Sequence, residues 1–137
     1  MARILIVEDE PLIRFALADE LADEGHLVIE CCNVLEAVAA LGTNGCIDAV
    51  VTDVDMPGGL SGLDLARMLT ITRPSVPVFI TSGRDVDVSE FGESVVYLPK
   101  PYDLATLRDR ISAQLEANKK QKSRTLALVR SRSTSYS

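Results

Sequence analysis

Apolar and polar positions fall in blocks that switch between two periods along the chain. Arg3–Val7 is a short apolar run with β-branched residues, the pattern of a buried strand. Pro11 follows where a helix can begin, because its missing N–H has no helical partner there. Leu12, Phe15, Ala16 and Leu21 then keep helical spacing to about Glu24, and Gly25 ends the segment. Leu27–Cys32 predicts a second strand, and Asn33 caps a helix over Val34–Leu41 that Gly42 stops. Ala49–Asp53 predicts a third strand. Met56-Pro57-Gly58-Gly59 predicts a loop, and Gly62–Thr72 a helix burying Leu65, Met68 and Leu69. Val76–Thr81 and Val95–Leu98 complete five strands. Asp103 caps a last helix with Leu104, Leu107, Ile111 and Leu115 in one stripe.

Five apolar strands alternating with amphipathic helices predict an α/β fold, a doubly wound parallel sheet with helices on both faces. Analogy with common open sheets gives the flavodoxin-like strand order 2-1-3-4-5. Residues 83–94 break the pattern. Two glycines, two valines and two aspartates make a poor helix, so the fourth helix is expected to be short or absent and the segment mobile.

A chain of 137 residues with 47% apolar residues suits one globular domain. No apolar run reaches the roughly 20 residues of a membrane span, and the run at the N-terminus is too short for a secretory signal, so a cytoplasmic protein is expected. Cys31, Cys32 and Cys46 fit neither a disulfide framework nor a zinc site and read as small buried hydrophobes; His26 is given no role. The net charge of −6 conceals a split. Residues 1–117 hold eight bases against all 20 acids, and residues 118–137 hold six bases and no acid. An acidic body disfavours nucleic acid as a partner and favours cations. Residues 1–117 are therefore expected to form the domain, and 118–137 a basic, Ser-rich, partly disordered tail, solubilising or docking on an acidic surface.

In an open α/β sheet, ligands bind beyond the carboxyl ends of the strands at the switch point of strand order. With order 2-1-3-4-5 that point lies between strands one and three. Glu8 and Asp9 end strand one and Asp53 ends strand three, so three carboxylates share one pocket. Such crowding calls for a counterion, and Mg²⁺ takes oxygen ligands while keeping waters. Thr81 and Lys100 reach the same edge from strands four and five, a hydroxyl and an ammonium suited to phosphoryl oxygens.

Val7-Glu8-Asp9-Glu10-Pro11, Asp53-Val54-Asp55-Met56-Pro57, Thr81-Ser82 and Lys100-Pro101, in this order and each at a strand end, resemble the receiver domain of two-component response regulators over residues 3 to about 117. The resemblance implies that Asp53 is the phosphoacceptor and Asp9 a direct Mg²⁺ ligand. It implies Glu8 as a second acid acting on the metal and the Asp55 backbone carbonyl as a further ligand. Thr81 is then the switch hydroxyl, Lys100 pairs with the phosphate ahead of a cis bond to Pro101, and Tyr97 is the aromatic that swings as Thr81 moves. Tyr97 as plain core is the alternative. The implied donor is a phosphohistidine on a sensor kinase or phosphotransfer protein.

The expected function is that of a single-domain response regulator, signalling through protein contacts or draining phosphate, with only self-catalysed phosphorylation and dephosphorylation as chemistry. Asp55, two residues beyond the acceptor, is expected to alter phosphate lifetime. The alternative is a receiver-like interaction module that binds partners without phosphorylation. A phosphatase with an aspartyl nucleophile would continue its Asp-Val-Asp motif differently from Met56-Pro57, and a flavodoxin-type cofactor protein would need a phosphate loop after strand one.

Overall fold

The computed structural model describes residues 1–134. Its five strands are β1 (Arg3–Val7), β2 (Leu27–Cys31), β3 (Ala49–Asp53), β4 (Val78–Ser82) and β5 (Val95–Pro99). They form one parallel sheet in the order β2-β1-β3-β4-β5, as expected. The helices are α1 (Pro11–Asp23), α2 (Val34–Thr43), α3 (Gly62–Thr72) and α4 (Leu104–Thr134). Alternation along each strand divides the core in two. Leu5, Val7, Val50 and Ile80 pack with Ala37, Leu65 and Leu69 from α2 and α3. Ile4, Ile6, Val51 and Phe79 pack with Leu17, Leu21, Leu107 and Ile111 from α1 and α4. β1, β3 and β4 are apolar on both faces because both faces are covered.

Local chemistry explains most boundaries. The Gly25 N–H donates to Ala22 and the His26 N–H to Leu21, and Gly25 takes φ +89°. This closing pattern satisfies the last carbonyls of α1 and needs a residue without Cβ. Asn33 accepts the Glu36 N–H at 2.9 Å at the start of α2. Ser61 and Asp64 close a capping box on α3. Asp103 accepts the Ala105 N–H at 3.0 Å and starts α4.

Several expectations are corrected. Helix α2 passes through Gly42 instead of ending there, because Arg73 reaches across to donate to the carbonyls of Leu41 (2.6 Å) and Asn44 (3.3 Å). Of the residues at helical spacing in α1, Leu21 faces the core while Leu12, Phe15 and Ala16 do not. Leu17, Ala18 and Leu21 are buried, and Leu12 is 84% exposed. α1 has apolar residues on two opposite faces, and period alone does not say which one meets the sheet. Of the cysteines only Cys31 is buried, its thiol pushed up to about 11 by burial; Cys32 and Cys46 are exposed.

The segment 83–94 holds no α-helix, only a 3₁₀ turn at Ser89–Ser94 that Gly92 kinks with φ +71°. The fourth α-helix actually present is therefore α4, and it is long, not short. It runs through the basic segment to Thr134, against the expectation of a partly disordered tail. Lys, Gln, Arg, Leu and Ala are good helix formers, and no Gly or Pro interrupts residues 104–134. Asn118 also ties the extension to the body by donating to the Ser75 carbonyl at 3.3 Å. Residues 135–137 of the expected tail lie outside the described residues. Among those described, no helix is long and apolar enough to cross a membrane.

Candidate functional site

Strand register brings the polar residues to one edge. Val7 pairs with Thr52, Asp53 with Thr81, and Thr81 with Leu98. Glu8 is one residue past β1, and its N–H continues the ladder to Cys31 at 3.0 Å. Lys100 is one residue past β5, with its N–H on the Ser82 carbonyl at 2.7 Å. The Lys100–Pro101 bond is cis.

Three carboxylates converge at this edge. Glu8, Asp9 and Asp53 offer oxygens that all lie within 4.8 Å of one another. Glu8 and Asp53 are buried and Asp9 is half-buried. The Lys100 ammonium sits between the two buried acids, 3.0 Å from Glu8 Oε2 and 3.4 Å from Asp53 Oδ2. Asp53 Oδ1 also accepts the Val54 N–H at 2.8 Å, and Glu8 Oε1 the Glu10 N–H at 3.1 Å. Asp53 Oδ2 thus faces the ammonium while Oδ1 is fixed on the backbone.

The electrostatics follow from burial and pairing. Burial raises the Asp53 carboxyl above its ordinary range, and Lys100 offsets part of the rise. Glu8 is raised in the same way, again partly offset by its bond to Lys100. Burial disfavours the Lys100 charge, yet bonds and attraction to Glu8 and Asp53 hold the ammonium above its usual value. Three acids against one ammonium leave the pocket anionic, with oxygen donors at a spacing one small cation can bridge. The donor set fits Mg²⁺, which Glu8, Asp9 and Asp53 would hold.

Thr81 is buried, and its hydroxyl donates to the Thr52 carbonyl at 3.5 Å, a long contact that is easily exchanged. Two expected residues stand apart from this cluster. The Tyr97 hydroxyl donates to the Arg84 carbonyl at 2.9 Å on the half-buried outer part of β5. The Asp55 side chain is exposed and forms a bidentate pair with Arg84, which holds its carboxyl below the ordinary range.

Other residues of the site carry no motif. Gly62 presses on the end of β3: a Cβ there would lie 2.1 Å from the Asp53 carbonyl oxygen, while its N–H donates to Val54 at 2.9 Å. Only glycine fits this approach, which aims α3 past the acceptor strand. Thr52 donates to the Asp53 carbonyl at 2.9 Å. Arg14 donates to the Glu8 carbonyl at 3.0 Å and pairs with Glu30 at 3.3 Å. A glycine in the first turn of a helix was the only sequence signal among these. The Arg14 and Arg84 pairings join residues far apart in the chain.

Comparison with known proteins agrees with this geometry. Residues 4–112 match the response regulator receiver domain family. The transcriptional regulatory protein TcrA of Mycobacterium tuberculosis is 37% identical over 115 residues, covering 81% of this chain and 45% of TcrA. The chain thus spans about half the length of that regulator. Protein PilH of Pseudomonas aeruginosa is 36% identical over 121 residues, covering 84% of this chain and 98% of PilH. Among solved structures, response regulator TrrA from Thermotoga maritima in complex with Mg²⁺ and beryllofluoride superposes with a TM-score of 0.73 at 28% identity, over 83% of this chain and 99% of TrrA. A matching family over most of the chain, on a sheet whose strand ends gather Glu8, Asp9, Asp53, Thr81 and Lys100, makes this chain a member of the response regulator receiver domain family of two-component signalling.

Proposed function

We propose that Asp53 accepts a phosphoryl group from a phosphohistidine on a histidine kinase or phosphotransfer protein, in a reaction that needs Mg²⁺. The observation that carries this reading is the position of Asp53. Its Oδ2 lies beside the Lys100 ammonium, and Glu8 and Asp9 offer oxygens for a cation next to it. In the transfer an Asp53 oxygen attacks phosphorus, the P–N bond breaks, and the imidazole leaves. The bound metal would supply charge neutralisation for an anionic nucleophile meeting an anionic phosphoryl group. Lys100 holds the carboxylate and then pairs with the phosphoryl oxygens. Thr81, on the register position beside Asp53, exchanges its long bond to Thr52 for one to the phosphoryl group. Water later attacks phosphorus, the bond to the Asp53 oxygen breaks, inorganic phosphate leaves and the carboxylate is restored. Phosphorylation and dephosphorylation of its own Asp53 are the chemistry assigned to the chain.

A cleft of about 460 Å³ adjoins the site, lined by Leu12, Ile13, Ala16, Pro101, Tyr102 and Leu104 beside Lys100. Its apolar wall suits an apolar surface on the phosphodonor. In the cytoplasm, output runs through contacts with a downstream protein or through drainage of phosphate from a shared kinase. A single-domain regulator is the form of this reading; the PilH relative is matched over 98% of its length.

Intact-mass spectrometry after incubation with acetyl phosphate and Mg²⁺ tests the reading. A gain of one phosphoryl group is expected, absent in Asp53→Asn and in chelator. No gain in the wild type, together with no binding of beryllofluoride, would leave a module that binds partners without phosphorylation.

A further inference from the structure

An ion pair that the chemistry above does not use joins the loop just after β3 to the segment just after β4, the two strands that carry Asp53 and Thr81. Arg84 Nε lies 2.8 Å from Asp55 Oδ2, and an Nη of the same guanidinium lies 3.0 Å from Oδ1. Asp55 is two residues beyond Asp53, and Arg84 is three beyond Thr81. The Arg84 backbone is held as well. Its N–H donates to Ser82 Oγ at 3.2 Å, and its carbonyl accepts the Tyr97 hydroxyl at 2.9 Å. One residue thus joins the loop after the acceptor, the end of β4, and the aromatic of β5. The stretch from Gly83 to Val88 has no helix or strand of its own; these contacts hold its start, and Val86 and Val88 pack on the core beyond it.

The pair is built for exchange. The Arg84 and Asp55 side chains are 59% and 61% exposed, so the bond contributes little to folding. It is nevertheless bidentate, which makes it geometrically specific. Asp55 is two residues past Asp53, beyond a bend at Val54, so their Cα atoms are at most about 7 Å apart. A phosphoryl group on Asp53 brings nearly two negative charges to this edge. It repels the Asp55 carboxylate and offers the guanidinium oxygens of matching fork geometry.

We propose that Arg84 is a positioning residue that exchanges Asp55 for the phosphoryl group on Asp53, drawing the segment 83–88 and the Tyr97 hydroxyl with it. Asp55 is then the competitor that holds Arg84 in the unphosphorylated state. The proposal rests on the reading of Asp53 as phosphoacceptor. It explains how a receiver without an α-helix between β4 and β5 passes occupancy of its site to that segment.

Fluorine NMR of the full chain labelled with 3-fluorotyrosine, titrated with beryllofluoride in Mg²⁺, tests it. Tyr97→Phe assigns the Tyr97 resonance, and the bound fluoroberyllate signals report occupancy of Asp53. In the wild type the Tyr97 shift is expected to track occupancy. In Arg84→Gln the site still fills, but the Tyr97 shift at saturation falls below half. Asp55→Asn lowers the half-saturating concentration severalfold, and this gain disappears when Arg84→Gln is added. Tyr97 shifting as fully in Arg84→Gln as in the wild type would overturn the exchange. So would an Asp55→Asn effect that survives in the double variant. If fluoroberyllate fails to bind the wild type, the phosphoacceptor reading falls and the exchange with it, an outcome the bound signals separate from failure of the exchange alone.

Discussion

Replacing Gly62 with Ala reverses the sign usually expected for glycine in a helix. Gly→Ala in a helix ordinarily stabilises by about 0.5–1 kcal/mol, because alanine loses less backbone entropy. At Gly62 the added Cβ would lie 2.1 Å from the Asp53 carbonyl oxygen, 2.9 Å from its carbonyl carbon and 3.0 Å from Thr52 Oγ1. Ordinary carbon–oxygen approach is about 3.3 Å or more, so helix and strand must part by about 1 Å. The nearest two atoms are backbone, so no rotamer relieves the clash. Overpacking of this kind costs about 1–3 kcal/mol. The Gly62 N–H bond to Val54, 2.9 Å long, stretches as well, for about 1 kcal/mol more. The net expectation is a loss of about 2–3 kcal/mol. Gly42 supplies the control. It lies inside α2 with nothing within 4 Å of an added Cβ, so Gly42→Ala is expected to stabilise by about 0.5–1 kcal/mol. Urea unfolding of both variants and the wild type in chelator, read at unchanged m-value, measures the difference. Equal gains in stability for the two substitutions would refute the close approach.

Asp53→Asn is expected to raise the melting temperature of the metal-free protein. Burial raises the Asp53 pKa, so the native state holds this proton more tightly than the unfolded chain. The associated stability is complete below the ordinary value of about 4 and is lost as pH rises through the folded value. At neutral pH the ionised group therefore costs stability, and a lower melting temperature for the variant at pH 7 would contradict this. Mg²⁺ at 100 times its dissociation constant should stabilise the wild type by about 2.7 kcal/mol, seen as a rise in melting temperature that Asp53→Asn largely abolishes; an equal rise in both would place the metal elsewhere. Arg73→Ala removes the bonds to Leu41 and Asn44 that close α2 and should cost about 1–2 kcal/mol. Hydrogen exchange would show faster opening at the C-terminal end of α2, and unchanged protection there would dismiss the cap.

The elements of the fold were legible because both faces of the central strands are covered. Ile4–Val7, Ala49–Val51 and Val78–Ile80 read as unbroken apolar runs for that reason. Glu8, Asp9, Asp53, Thr81 and Lys100 were legible as a site because each stands at a strand's carboxyl end, where a parallel sheet gathers residues distant in the chain. The weak helix signal of residues 83–94 was equally local, and only the 3₁₀ turn forms there. Tertiary structure decided the rest. α1 offers two apolar faces, and only docking on the sheet selects Leu17, Ala18 and Leu21 over Leu12 and Phe15. Gly42 ends no helix because a guanidinium 32 residues away closes α2. The basic segment continues α4, where charge composition alone suggested disorder. The pairing of Asp55 with Arg84 and the contact of Gly62 with Asp53 depend on which loops meet across the strand ends. Period and propensity describe a residue's neighbours along the chain. Cross-chain bonds and steric approach arise only when the sheet has fixed which strand ends stand side by side.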